Sequence, residues 1–228
     1  MALHVINPSM APQGAIRGVL FDLDGLVLDT EKLYSRFWMG ACRHFGFPMT
    51  YEQSLHMRAL NGDAGQHMLW QFFGPEADYK AIRAERIRQM NAFVSENGVE
   101  VKPGIVDFLR ALKELGIGTA IVSASPMDRI ESYLSSVGLL SMFDHLCSGY
   151  DVPNGKPAPD IYCYGAARLG LEPGQCLALE DSYSGLLSAS RAGCVPILIP
   201  DLDPPNEKTL PLIYAVADNA MDVLPLVK

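Results

Sequence analysis

Two kinds of apolar spacing alternate along this chain. Gly18-Val19-Leu20-Phe21, Gly118-Thr119-Ala120-Ile121-Val122 and Cys176-Leu177-Ala178-Leu179 are short apolar runs with the length of buried strands. Asp144 to Ser148 and Val195 to Ile199 read as two more, the last stopped by Pro200. Between them the apolar positions take helical spacing. Ile105, Phe108, Leu109 and Leu112 mark a helix opened by Pro103-Gly104, running through Leu115 and stopped by Gly116. Ser125-Pro126 starts another that reaches about Ser136, with Ser125 expected as N-cap and Pro126 at the first helical position. Pro159 to Leu169 and Tyr183 to Ala192 are two further helices, closed by Gly170 and Gly193. Such alternation predicts an α/β fold with a mostly parallel sheet covered by helices on both faces.

One segment breaks the alternation. Thr30 to Phe45 carries Leu33, Phe37, Cys42 and Phe45 in a loose helical pattern, ended by Gly46 and Pro48. Thr50 to Asn97 then reads as all-helical, rich in Arg, Lys, Glu and Ala. The expected division is a core in two pieces, residues 1–32 and 99–228, with an all-helical cap at residues 33–98. An insertion at this point can hang over the carboxyl ends of the strands, where open α/β sheets place their ligands. Its links near Asp29-Thr30 and Val99-Pro103 make it a candidate lid.

Composition narrows the class. The chain has 228 residues, 49% of them hydrophobic, enough to bury a substantial core. Formal net charge is 18 − 26 = −8. That balance opposes a nucleic-acid surface, which needs clustered Lys and Arg. It does not oppose a small phosphorylated metabolite, because a bound cation and one or two local positive groups can invert the field in a pocket. The five cysteines form no CxxC pair, so buried free thiols in a reducing, cytoplasmic setting are expected. Met1 to Gly14 lacks the charged-then-apolar pattern of a signal peptide, and no apolar run approaches a membrane span. A monomer or weak homodimer is expected.

The candidate chemistry follows the apolar runs. Asp22 and Asp24 leave the first together, since alternation puts residues i and i+2 on one side of a strand. Clustered carboxylates repel unless a cation or a shared proton stabilises them, and Mg2+ prefers oxygen ligands. The ordinary alternative is a solvated strand-to-turn corner. Ser123 follows the second run, Lys156 sits in the loop Asn154 to Asp160, and Glu180-Asp181 follows Leu179. Singly, these read as a turn hydroxyl, a solvated lysine and another corner. Jointly, at one edge of a parallel sheet, they supply a nucleophile, an acid/base, a hydroxyl, a cation and metal ligands.

The same residues carry a resemblance. Phe-Asp-Leu-Asp-Gly-Leu-Val-Leu-Asp-Thr-Glu at positions 21 to 31 resembles the first motif of the haloacid dehalogenase-like phosphatase superfamily. Ile121 to Ser125 resembles the second motif, Gly155 to Asp160 the third and Leu179 to Gly185 the fourth, in matching order from about residue 16 to 203. The resemblance implies a Rossmann-like three-layer core with a small helical cap. It implies a Mg2+-dependent phosphomonoester hydrolase working through an aspartyl phosphate. Asp22 would be the nucleophile and Asp24 the acid/base. Ser123 would bind the phosphoryl group and Lys156 would offset its charge. The metal would be held by Asp22, the backbone carbonyl of Asp24 and Asp181, with Glu180 on the ion or just behind it. Backbone N–H groups near Leu23 and Ala124 are further candidate donors to the substrate. In the cap, Arg58 is the nearest cationic candidate, and His56, Asn61 and His67 are the polar residues of interest.

Within the superfamily the chain resembles the group containing β-phosphoglucomutase, phosphoglycolate phosphatase and pseudouridine 5'-phosphatase. Leu28 to Ser35 and Ile197 to Leu202 are most similar to the last of these. The mutases usually carry a histidine where Tyr34 stands and an arginine where Gly65 stands, so a hexose-phosphate mutase is the secondary expectation. A non-catalytic phosphometabolite-binding or protein-interaction module is the alternative from another class. Such a module has no use for Asp24.

Overall fold

The computed structural model describes residues 3–57, 60 and 62–227. Arg58 and Asn61, singled out above, lie outside the described residues. In chain order the elements are β1 (His4–Val5), β2 (Gly18–Phe21), α1 (Glu31–His44), α2 (Tyr51–His56), α3 (Gly62–Phe73) and α4 (Tyr79–Asn97). They continue with α5 (Ile105–Glu114), β3 (Gly118–Ser123), α6 (Met127–Ser136), β4 (His145–Ser148), α7 (Asp160–Arg168), β5 (Cys176–Glu180), α8 (Tyr183–Ala192), β6 (Val195–Leu198) and β7 (Ala215–Val216). The chain separates into two compact units, Met1–Asp29 with Glu100–Lys228, and Thr30–Val99.

The first unit is built on a seven-stranded sheet in the order β1-β7-β6-β5-β2-β3-β4. Every pairing is parallel except that of β1 with β7. β2 lies between β3 and β5, with Phe21 opposite Ile121 on one side and Leu179 on the other. Strands buried on both faces read as continuous apolar runs, which is why no alternation marks them in the sequence. On one face Leu20, Ala120, Val122, Cys147 and Ala178 pack with Ile161, Tyr162 and Ala166 of α7 and Ala189 of α8. Gly165 lets α7 lie close there, since a Cβ would come within 2.8 Å of the Val122 side chain. On the other face the Phe21 ring meets Phe108 of α5 edge-on at 6.0 Å and Phe143 at 5.5 Å. The result is the α/β fold with a mostly parallel sheet between helical layers.

The structure corrects three details. β1 and β7 were not anticipated, because two residues are too few to show a period. α6 starts at Met127, with Pro126 extended at the N-cap position (φ −67°, ψ 153°) and Ser125 outside the helix. Ser125 does not cap α6, because its hydroxyl is turned to Asp24. Cys163 is exposed, whereas Cys42, Cys147, Cys176 and Cys194 are buried. The neighbours Ile161, Tyr162 and Ala166 take the sheet-facing side of α7, and residue 163 falls outside that stripe.

The second unit consists of α1 to α4. Thr50 and Gln53 form a reciprocal capping box at the start of α2, and Asp78 caps α4 through the N–H groups of Lys80 and Ala81. Its core gathers Trp38, Ala41, Cys42, Met49, Met57, Leu69, Ala77, Tyr79 and Ile82. Arg86 is buried here, its guanidinium over the rings of Tyr34 at 4.7 Å and Trp38 at 5.1 Å. Among the described residues no helix is long and apolar enough to cross a membrane.

Candidate active site

The site is set by the carboxyl ends of β2, β3 and β5. Phe21 is level with Leu179 and Ile121, so Asp22 and Glu180 leave their strands side by side and Ser123 stands one residue further along β3. Asp22 is still tied to the sheet, its N–H donating to the Leu179 carbonyl at 3.1 Å. The chain then turns tightly. The N–H of Gly25, at φ +88°, donates to Leu28 O at 2.8 Å, and Leu28 N–H returns to Leu23 O at 2.9 Å. A positive φ at that point suits glycine.

Lys156 links the strands. Its Nζ lies 2.5 Å from Asp22 Oδ1 and 2.6 Å from Glu180 Oε1, and its side chain is only 6% exposed. The reading of Lys156 as a solvated loop lysine is therefore excluded. Glu180 is fully buried and its two oxygens are held by protein donors. Oε1 also accepts from the Tyr162 hydroxyl at 2.7 Å, and Oε2 accepts from the Ser182 N–H at 3.2 Å and hydroxyl at 2.9 Å. Ser182 Oγ in turn accepts from Gly185 N–H at 3.1 Å, capping α8. A Cβ at residue 185 would overlap the Glu180 carboxylate, at 1.7 Å from Oε1. The roles of Tyr162, Ser182 and Gly185 are not legible in the sequence. An apolar helix stripe hides a tyrosine whose hydroxyl is the informative atom.

Electrostatics in this cluster are opposed. Burial pushes the Asp22 carboxyl up from 3.8 to about 7, with Glu180 and Asp24 adding to the rise and Lys156 opposing it. Burial also disfavours the Lys156 ammonium, but Asp22 and Glu180 together outweigh it and raise that group above its ordinary value. One carboxylate oxygen from each of Asp22, Glu180 and Asp181 falls within 4.8 Å of the others. This all-oxygen, acid-rich set fits a hard divalent cation, since Lys156 is shared between two of its three carboxylates.

The remaining predicted residues are near by in the same unit. Ser123 is buried and its Oγ accepts from the Ser125 N–H at 3.1 Å. Its carbonyl accepts from Gly149 N–H at 2.7 Å, and Ala124 next to it is exposed. Asp24 Oδ2 accepts from Ser125 Oγ and Oδ1 from Arg129 Nη2, each at 2.9 Å. No local pattern in the sequence ties Ser125 or Arg129 to Asp24.

A buried carboxylate, a buried lysine and an acidic cluster thus meet at the strand ends of a Rossmann-like sheet. A profile of the haloacid dehalogenase-like hydrolases matches residues 19–199. Hexitol phosphatase B of Escherichia coli K12 is 29% identical over 200 residues, covering 87% of this chain and 90% of that protein. The phosphorylated carbohydrates phosphatase of Thermotoga maritima is 30% identical over 184 residues, covering 78% and 82%. Among solved structures, a HAD family hydrolase from Deinococcus radiodurans R1 with bound phosphate and sodium superposes with a TM-score of 0.76 at 26% identity, covering 95% of this chain and 98% of that one. The chain belongs to the haloacid dehalogenase-like hydrolase family.

Proposed function

We propose that the protein is a Mg2+-dependent phosphatase that hydrolyses a small phosphorylated metabolite, of sugar-phosphate or nucleoside 5'-phosphate type, through an aspartyl phosphate on Asp22. The observation that carries this reading is the convergence of Asp22, Lys156 and Glu180 within 2.6 Å contacts at adjoining strand ends. The named relatives that act on hexitol phosphates and phosphorylated carbohydrates support the substrate class.

Asp22 and Asp181, with the backbone carbonyl of Asp24, are the residues we assign to the metal. Glu180 stands behind them, because its oxygens already accept from Lys156, Tyr162 and Ser182. Bound there, Mg2+ would supply positive charge shared between the nucleophile and the phosphoryl oxygens. Asp22 attacks phosphorus and the ester P–O bond breaks. Asp24 gives its proton to the departing alkoxide, then takes one from the water that cleaves the aspartyl phosphate. Lys156 holds Asp22 in line and offsets the phosphoryl charge. Ser123, whose oxygen already accepts from Ser125 N–H, directs its O–H to a phosphoryl oxygen. The backbone N–H groups of Leu23 and Ala124 complete the set of donors. Five cysteines that form no disulfide suit work in the reducing cytoplasm.

The test is phosphate release, with and without Mg2+, from p-nitrophenyl phosphate and a panel of hexitol, hexose and pentose phosphates, phosphoglycolate and nucleoside 5'-phosphates including pseudouridine 5'-phosphate. Mg2+-dependent release from at least one is expected. A folded protein that releases phosphate from none of them would refute the assignment.

A further inference from the structure

An acid/base group must turn an oxygen first to the leaving group and then to water. Asp24 is held in a way that conflicts with this. Arg129 Nη2 sits 2.9 Å from Oδ1, and Ser125 Oγ donates to Oδ2 at 2.9 Å. Both partners of the ion pair are only 17% exposed, so solvent screens the pair less than an open surface contact. The latch is itself braced. The Arg129 guanidinium lies 5.2 Å from the Tyr133 ring centre, one turn further along α6. The Ser125 carbonyl accepts from Ser148 Oγ of β4 at 2.7 Å. Each carboxylate oxygen therefore faces a donor, and a donor is the wrong partner for a group about to release a proton.

We propose that Arg129, assisted by Ser125, is a positioning residue that latches Asp24 in a resting pose, and that Asp24 must leave this latch to protonate the leaving group. Arg129 touches neither substrate nor reacting atoms in this scheme and acts through Asp24 alone. The inference rests on the reading of Asp24 as the acid.

The two ideas are separable through leaving-group dependence. The value of kcat/KM reports steps up to phosphoryl transfer, so it isolates the acid step from hydrolysis of the aspartyl phosphate. An alkyl phosphate needs the acid, whereas p-nitrophenyl phosphate has a leaving group that departs unaided. The readout is the ratio of kcat/KM for the best alkyl phosphate to that for p-nitrophenyl phosphate. Loss of the Arg129–Asp24 ion pair from the resting state in Arg129→Met should raise this ratio about fivefold, the upper end for a single ion pair. Ser125→Ala should raise it by a smaller factor. Asp24→Asn should lower it about a hundredfold, and adding Arg129→Met to Asp24→Asn should move it less than about twofold. Should Arg129→Met fail to fold, Arg129→Gln, which removes the charge at similar length, reads the same ratio. A ratio that stays level or falls in the Arg129 variant, while Asp24→Asn lowers it, would overturn the latch and leave the acid assignment standing. A ratio unmoved by Asp24→Asn would overturn the acid assignment and the latch with it.

Discussion

Asp22 is the residue at which stability and chemistry conflict. Its carboxyl titrates near 7 in the fold and near 3.8 when unperturbed, chiefly because it is buried. Below 3.8 both folded and unfolded chains hold the proton. Between 3.8 and about 7 the folded protein keeps a proton that the unfolded chain has lost, so this contribution to stability declines as pH rises and is gone above 7. Asparagine cannot ionise. Asp22→Asn should therefore melt at a higher temperature than the parent at pH 8 in EDTA, with the two converging below pH 4, while turnover falls at least about 10^4-fold. A lower melting temperature for Asp22→Asn at pH 8 would contradict the account. The cysteines offer a second test. Burial pushes the Cys42 and Cys176 thiols up to about 12 and Cys147 to about 11, and raises Cys194 further. Cys163 alone is exposed. Iodoacetamide at pH 7.5 should label Cys163 and spare the other four until the protein unfolds, as peptide mass spectrometry would show. The sequence disclosed five unpaired thiols. The outward place of Cys163 on α7 follows from which side of that helix meets the sheet.

Within the helical unit, the start of α3 is fitted to α4 by a single small residue. A Cβ at Gly65 would stand 2.3 Å from the Tyr79 ring. That ring is held at its face and at its hydroxyl. It stacks on Trp38 at 5.8 Å, and its hydroxyl donates to the Leu60 carbonyl at 3.0 Å. Gln66, next in sequence, joins α3 to the start of α4 through Ala77 O at 2.6 Å and Tyr79 N–H at 3.1 Å. Gly65→Ala should thus destabilise the protein by about 1–3 kcal/mol, the usual range for overpacking. Urea unfolding followed by circular dichroism would measure it, and a loss under about 0.5 kcal/mol, the scatter of neutral surface changes, would show that Tyr79 yields freely. In the sequence Gly65 was legible only as a position without the arginine of the mutases. The packing supplies the reason, since an arginine there would have to displace the Tyr79 ring.

For the molecule as a whole, proton and metal compete for one carboxylate. Asp22 adds its charge to the set it forms with Glu180 and Asp181 only when it is ionised, above about pH 7. A ligand that binds the folded state alone stabilises it by mass action. Mg2+ at millimolar concentration should accordingly raise the melting temperature more at pH 8 than at pH 5, and calorimetry at the two pH values would measure the difference. An equal rise at both would rule out Asp22 as a ligand that must lose its proton. The amino-acid sequence by itself determined the strand–helix alternation, the all-helical insertion and which residues stand at strand ends, because these depend on local periodicity, on glycine and proline at the boundaries, and on short motifs. It did not reveal the partners of those residues. Lys156 meets Asp22 across 134 positions and Arg129 meets Asp24 across 105. Tyr162 reaches Glu180 from a neighbouring helix. Only the tertiary structure decided these pairings, since they follow from the parallel register of β2, β3 and β5 and from the face that α7 turns to the sheet, and no local pattern encodes a distance between segments that far apart.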